Sequence, residues 1–301
     1  MSEVLVNLND PNTGTSNASG GKDIELDIQA SPTGPHRVAG TFNSDRISFN
    51  NFSNNSIDIV SAAQGDDVVA TGAGNDSIAG GDGNDLMNGG QGSDTLEDGF
   101  GNDIIFGGQG DDIISDNAGN NILIGNFGND SIRGGLDTDI AFGNQGNDTL
   151  DGGSGNDSLY GGRDADSLSG GAGNDFLSED RGSGTLTGGA GSDTFAFNWY
   201  GDSEAFAGVD TITDFEPGTD KIAIDANADP GFNPGDTLPA SEFSTVSGAS
   251  DADIDANEAK VVYDQESGSV YYNPSNQSGD LEEVAYLEGE PDLNNTDFEF
   301  L

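Results

Sequence analysis

The chain has 301 residues, no Cys, eight Lys plus Arg and 55 Asp plus Glu, for a formal charge of −47. Self-repulsion on that scale opposes any compact state, so either the chain is disordered, as high charge with low hydrophobicity favours, or counter-cations belong to the fold. Disulfides and thiolate metal sites are excluded, no run reaches the length of a membrane span, and so few basic residues make nucleic acid and anionic membranes poor partners.

The chain opens MSEVLVNLNDPNTG, with neither a basic n-region nor an apolar h-region, so no cleaved signal peptide is expected. The alternating stretches DIELDIQA (23–30) and RISF (46–49) predict short strands. Residues 1–54 read as an N-terminal β cap, because the end of a repeat array needs protection. The single histidine, His36, falls in GPHRV, read as a loop; without a second His or an HExxH helix a metalloprotease is disfavoured.

From Gln64 to Asn198 the chain divides into 15 nonapeptides without insertion or deletion, among them DGNDLMNGG, QGSDTLEDG and FGNDIIFGG. NSIDIVSAA (55–63) is a degenerate unit before them. Position four is Asp in 13 of the 15, the exceptions being Asn121 and Gly184, and position six is apolar in all, from Val69 to Phe195. Glycines at positions two, eight and nine permit positive φ. Their replacements Asn117, Asn126, Asp137, Asn144 and Asp164 are the next most tolerant types. One apolar residue per unit cannot form a core alone, so the units must stack.

The unit resembles the RTX (repeats-in-toxin) nonapeptide GGxGxDxUx, a calcium-binding β-helix repeat. The resemblance implies an all-β fold, a parallel β-roll with one coil per 18 residues. It also implies Ca²⁺ between successive turns, held by turn carbonyls and the position-four carboxylates. Hard oxygen ligands without His or Cys suit that ion. One edge would carry Asp67, Asp85, Asp103, Asn121, Asp139, Asp157, Asp175 and Asp193. The other would carry Asp76, Asp94, Asp112, Asp130, Asp148, Asp166 and Gly184. Counting neighbours with Asp on both sides gives about ten ions, or roughly +20 charges against the −47. The gaps beside Asn121 should bind more weakly, and the second edge should end near Asp166, because EDRGSG around Gly184 lacks the ligand. Binding energy is folding energy when no site exists in the unfolded chain, so the array should fold on binding calcium.

Positions five and seven should face outward. On one sheet they form an apolar stripe, Ile104, Phe106, Ile122, Ile124 and Phe142 at its centre, about 24 Å long at inter-strand spacing. Such a patch is either covered by the chain's own flanks or used for docking or self-association. The other face is polar, for example Ser131/Arg133 and Thr149/Asp151.

After the repeats, residues 192–225 (SDTFAFNWYGDSEAFAGVDTITDFEPGTDKIAID) resemble the segment that closes the roll in secreted RTX proteins, and VVYDQESGSVYY (261–272) predicts a hairpin. The ending TDFEFL is similar to the uncleaved C-terminal signals of type I secretion substrates. DADIDANEA (251–259) carries Asp251, Asp253 and Asp255 at alternate positions, but Ala256 and Val262 replace the Gly and Glu an EF-hand requires. The expected organisation is a cap (1–54), a calcium roll (55–198) and a C-terminal cap with secretion region (199–301). The expected function is a non-enzymatic, secreted calcium-binding protein that leaves through the type I machinery and acts outside the cell or at its surface. A calcium-dependent adhesin or self-assembling surface component is the alternative.

Overall fold

The computed structural model describes residues 4–7, 25–28, 36–40, 42–49, 57–197, 208–225, 235–247, 259–273 and 282–301. Among them the regular elements are strands and one short 3-10 helix, Asn295–Asp297. The fold is all-β, a parallel β-roll as the repeat implied. The chain forms two compact units, Met1–Ser154 and Gly155–Leu301.

In the first unit, consecutive strands alternate between two parallel sheets. One runs Val4–Asn7, His36–Ala39, Asp58–Gln64, Ser77–Asp82, Thr95–Glu97, Ile113–Ser115, Ser131–Leu136, Thr149–Ser154. The other runs Glu25–Ile28, Arg46–Phe49, Val68–Ala73, Leu86–Gln91, Ile104–Gln109, Ile122–Phe127, Ile140–Gln145. Register follows the repeat: Ile105 pairs with Leu123 and Leu123 with Ala141, each 18 residues apart. The position-six side chains from Val69 to Leu150 are all buried, at most 3% exposed, as are those from Leu159 to Phe195 in the second unit. The degenerate unit obeys the same rule, with Val60 buried at its position six. Residues 1–54 contribute strands that lengthen both sheets, including those expected over DIELDIQA and RISF. His36 differs from expectation: it begins a strand paired with Asp58–Gln64 instead of lying in a loop.

The turns close because glycine is where a side chain cannot fit. Gly101 has φ +154°, and a Cβ on it would overlap the Gly83 carbonyl one coil below. Asn126, Asp137, Asn144 and Asp164 take positive φ in the same role. Asn117 does not. It follows Asp116, and both strands that run into an aspartate at position eight, Thr95–Glu97 and Ile113–Ser115, stop after three residues where most others have six.

In the second unit the sheets begin in the same parallel fashion and then change character. One contains Ser158–Arg163, Phe176–Arg181, Thr194–Phe197, Lys221–Ile224 and Phe298–Phe300, parallel throughout. The other contains Ser167–Ala172, Thr185–Ala190, Asp210–Ile212 and Glu282–Leu287, then the antiparallel pair Ser269–Tyr272 and Val261–Asp264, and finally Phe243–Val246. The expected hairpin is thus present, turning at Gly268 with φ +79°. It buries Val261, Val262, Tyr263, Val270 and Tyr272 completely. The motif Asp251–Asp255 lies outside the described residues.

Candidate metal centres

Each regular unit ends its turn with the aspartate one residue before a strand, so stacking the strands also stacks the aspartates. The result is a ladder. The backbone N–H of Asp67 donates to Oδ1 of Asp85 (2.7 Å), and that of Asp85 to Oδ1 of Asp103 (2.7 Å). On the other edge Asp76 donates to Asp94 (2.7 Å), Asp94 to Asp112 (2.8 Å), Asp112 to Asp130 (2.8 Å) and Asp130 to Asp148 (2.7 Å). In the second unit Asp157 donates to Asp175 and Asp175 to Asp193, both at 2.9 Å. The thirteen aspartates at position four (Asp67, Asp76, Asp85, Asp94, Asp103, Asp112, Asp130, Asp139, Asp148, Asp157, Asp166, Asp175, Asp193) are all buried, at most 3% exposed.

Along these rungs one oxygen of the accepting carboxylate is therefore engaged by the neighbouring coil. The second points into the turn: a Cβ on Gly89 would overlap Oδ2 of Asp94, and one on Gly107 would overlap Oδ2 of Asp112. For Asp67, Asp85, Asp94, Asp103, Asp112, Asp130 and Asp175 that oxygen is buried and accepts no hydrogen bond. A buried carboxylate oxygen with no donor costs several kcal/mol if charged. Burial, opposed by the backbone N–H and reinforced by neighbouring carboxylates, pushes Asp67, Asp94 and Asp112 up to about 7. Burial first, then a facing aspartate, raises Asp103 and Asp175 to about 6. Rows of buried oxygens aimed into carbonyl-lined turns, without His or Cys, fit a hard divalent cation. The ion pair Arg133–Asp151 (3.8 Å) sits on the exposed outer face and does not serve the ladder.

Three acidic side chains occupy position eight, where glycine is the rule, and sequence reasoning passed over all of them. Asp98 enters the gap between Asp85 and Asp103: the three carboxylates offer oxygens within 4.8 Å of one another, all buried. Oδ1 of Asp98 accepts N–H groups from Gly81 (3.2 Å) and Gly99 (2.9 Å), and its Oδ2 accepts none. Burial, with the charges of Asp103 and Asp85, pushes Asp98 up to about 8. Asp116 stands beside Asn121. The Asn121 amide oxygen takes the ladder bond from Asp103 (2.9 Å), while its Nδ2 donates to Oδ2 of Asp116 (2.6 Å). The charge lost at Asn121 is thus returned to the same rung from position eight.

The third is Glu179. In its unit's successor, position four is Gly184, and Glu179 Oε1 accepts the Asp166 N–H (3.1 Å) that an aspartate at that position would have taken. The ladder then continues beyond the repeats. Gly184 donates to Oδ1 of Asp210 (2.9 Å), and Asp193 donates to Oδ1 of Asp220 (3.0 Å), across 26 and 27 residues. Each of these carries the unit's own signature, an aspartate two residues before a buried isoleucine, Ile212 or Ile222. That signal was present in the sequence; the altered spacing hid it.

On the outer faces, the apolar row is real and half-exposed. Ile104 pairs with Ile122 and Ile122 with Ile140; Phe106 pairs with Ile124 and Ile124 with Phe142. Ile104 is 38% and Ile140 37% exposed.

A family model described as the RTX calcium-binding nonapeptide repeat matches residues 53–87, 61–96, 88–115, 106–141, 115–150, 142–177 and 180–197. No curated protein matches the chain. From 57 to 197 the turns, the strands and all but two of the position-four aspartates follow that repeat, and residues 53–197 of the chain carry RTX calcium-binding nonapeptide repeats.

Proposed function

We propose that this protein is a calcium-folded, non-catalytic RTX roll that is exported by a type I system and acts outside the cell or at its surface. The observation that carries the reading is the column of buried carboxylate oxygens without donors, Asp67, Asp85, Asp94, Asp103, Asp112, Asp130 and Asp175. Bound between turns, calcium would supply the electrostatic partner those oxygens lack. The chain's own part is to hold each pair in register through the ladder N–H and to exclude water by stacking. The ligands are the thirteen position-four aspartates, with Asp98 as a third carboxylate beside Asp85 and Asp103, and about ten ions are bound.

Folding outside the cell follows from affinity. Extracellular modules of this kind bind calcium with dissociation constants of about 10⁻⁴ to 10⁻³ M, so a chain of −47 stays expanded where calcium is scarce and folds where it is plentiful. Circular dichroism of the apo protein, followed by titration to millimolar calcium with ion counting, tests this. A β spectrum that is the same with and without calcium, or a loaded protein holding no calcium, ends the reading.

A second role is favoured by the half-exposed row Ile104, Phe106, Ile122, Ile124 and Phe142: self-association or adhesion in the calcium-loaded state. Light scattering of the loaded protein across concentration separates a monomeric module from a self-assembling one.

A further inference from the structure

We infer that Glu179 builds an additional calcium site with Asp166, between the turns at 161–166 and 179–184, at the rung where glycine has replaced the repeat's aspartate. The inference rests on the calcium reading above and extends it to a residue outside the repeat's ligand positions.

The unit 181–189, RGSGTLTGG, has glycine at position four, while the preceding unit, AGNDFLSED, has glutamate at position eight in place of glycine. The two departures meet in space. A Cβ on Gly184 would overlap the carboxyl carbon of Glu179, so the glutamate occupies the volume that the usual position-four aspartate side chain would fill. Glu179 also takes over the ladder bond, Asp166 N–H to Oε1 at 3.1 Å. A position-eight side chain is longer by one methylene in Glu than in Asp, which is the reach needed to stand in for a neighbour's carboxylate. Its second oxygen, Oε2, is buried and accepts no hydrogen bond, and the residue is 1% exposed. Oε2 also lies 2.8 Å from where a Gly161 Cβ would be, beside Oδ2 of Asp166, so it faces the coil below. This is the same arrangement that an ordinary rung presents, one oxygen held by an N–H and one directed into the turn. The ladder beyond it is intact, because Gly184 N–H donates to Asp210 at 2.9 Å. The second edge therefore does not end near Asp166.

The test uses the full chain and calcium itself, with bound ions counted by native mass spectrometry. Glu179→Gly restores the repeat's own glycine but leaves the rung without its carboxylate; one ion should be lost. Glu179→Gly combined with Gly184→Asp returns the carboxylate to its usual position, and the count should recover. Gly184 has no left-handed φ, and once Glu179 is gone the Asp166 carbonyl, 2.8 Å from the new Cβ, is the neighbour that must shift. Glu179→Gln keeps the shape and the acceptor for Asp166 while removing the charge, so it decides the matter if the glycine variant fails to fold. It too should bind one ion fewer. If the parent protein binds calcium and both Glu179→Gly and Glu179→Gln keep its full count, the inference is overturned while the calcium roll stands. If the parent binds none, the functional reading itself is lost.

Discussion

The coils of residues 68–154 and the strands of residues 261–287 solve one problem in two ways. In the first segment a typical unit buries one apolar side chain, such as Ile78 or Ile132, together with one carboxylate, such as Asp76 or Asp130. In the second, Val261, Val262, Tyr263, Val270, Tyr272, Val284, Ala285 and Leu287 pack with no such ladder, through antiparallel pairing. The first carries buried charge that calls for a cation; the second carries enough apolar surface to hold itself together. A thin core makes the ion part of the structure.

Calcium removal should break the comparison most sharply. After chelation, amides of the strands from Val68 to Ser154 should lose nearly all protection in hydrogen exchange, while those of Val261–Asp264 and Ser269–Tyr272 keep theirs. Equal loss in both segments would mean that the hairpin, too, depends on the ions. Next in size, Leu123→Ala in the calcium-loaded protein should cost about 2–5 kcal/mol in a urea titration, because a unit with one core side chain has no second one to fill the cavity. A smaller effect would show that the roll can close around the gap.

Protons should partly replace calcium. In the ion-free fold Asp94 and Asp112 sit near 7, above the ordinary carboxylate value near 4, so between those limits the folded chain holds more protons than the unfolded one. Stability from this source is fully present below about pH 4 and is lost as pH rises through about 7. Chelated protein should gain β signal by circular dichroism on acidification from pH 8 to about pH 5. The loaded protein should behave in the opposite way, needing more calcium at lower pH, since protons compete for the same oxygens. The smallest expected effect is that of Phe106→Ser with Phe142→Ser. Both side chains are half-buried on the outer face, so monomer stability should change little, by about 1–2 kcal/mol, while any calcium-dependent assembly seen by light scattering should disappear. Assembly that survives would move the contact elsewhere.

Much of the roll was legible because nothing interrupts its period. Every position-six side chain from Val69 to Phe195 is buried, and the position-four aspartates from Asp67 to Asp193 are buried with them. What escaped were residues that act off-register. Asp98, Asp116 and Glu179 looked like lapses in a glycine position, and Asp210 and Asp220 lay past an insertion. Asn117 was expected at positive φ and is not; it follows Asp116, where the strand Ile113–Ser115 has already ended.

By itself the sequence determined the coil length, the inward face and the charge each coil must neutralise, since a fixed nine-residue period leaves each residue type one place to go. The tertiary structure alone decided which carboxylate serves a rung whose own aspartate is missing, and that the ladder runs on to Asp210 and Asp220. The reason is geometric: turns meet at the spacing of hydrogen-bonded strands, so a ligand's partner is set by which coil lies beneath it and how far its side chain reaches, whatever the number of residues between them.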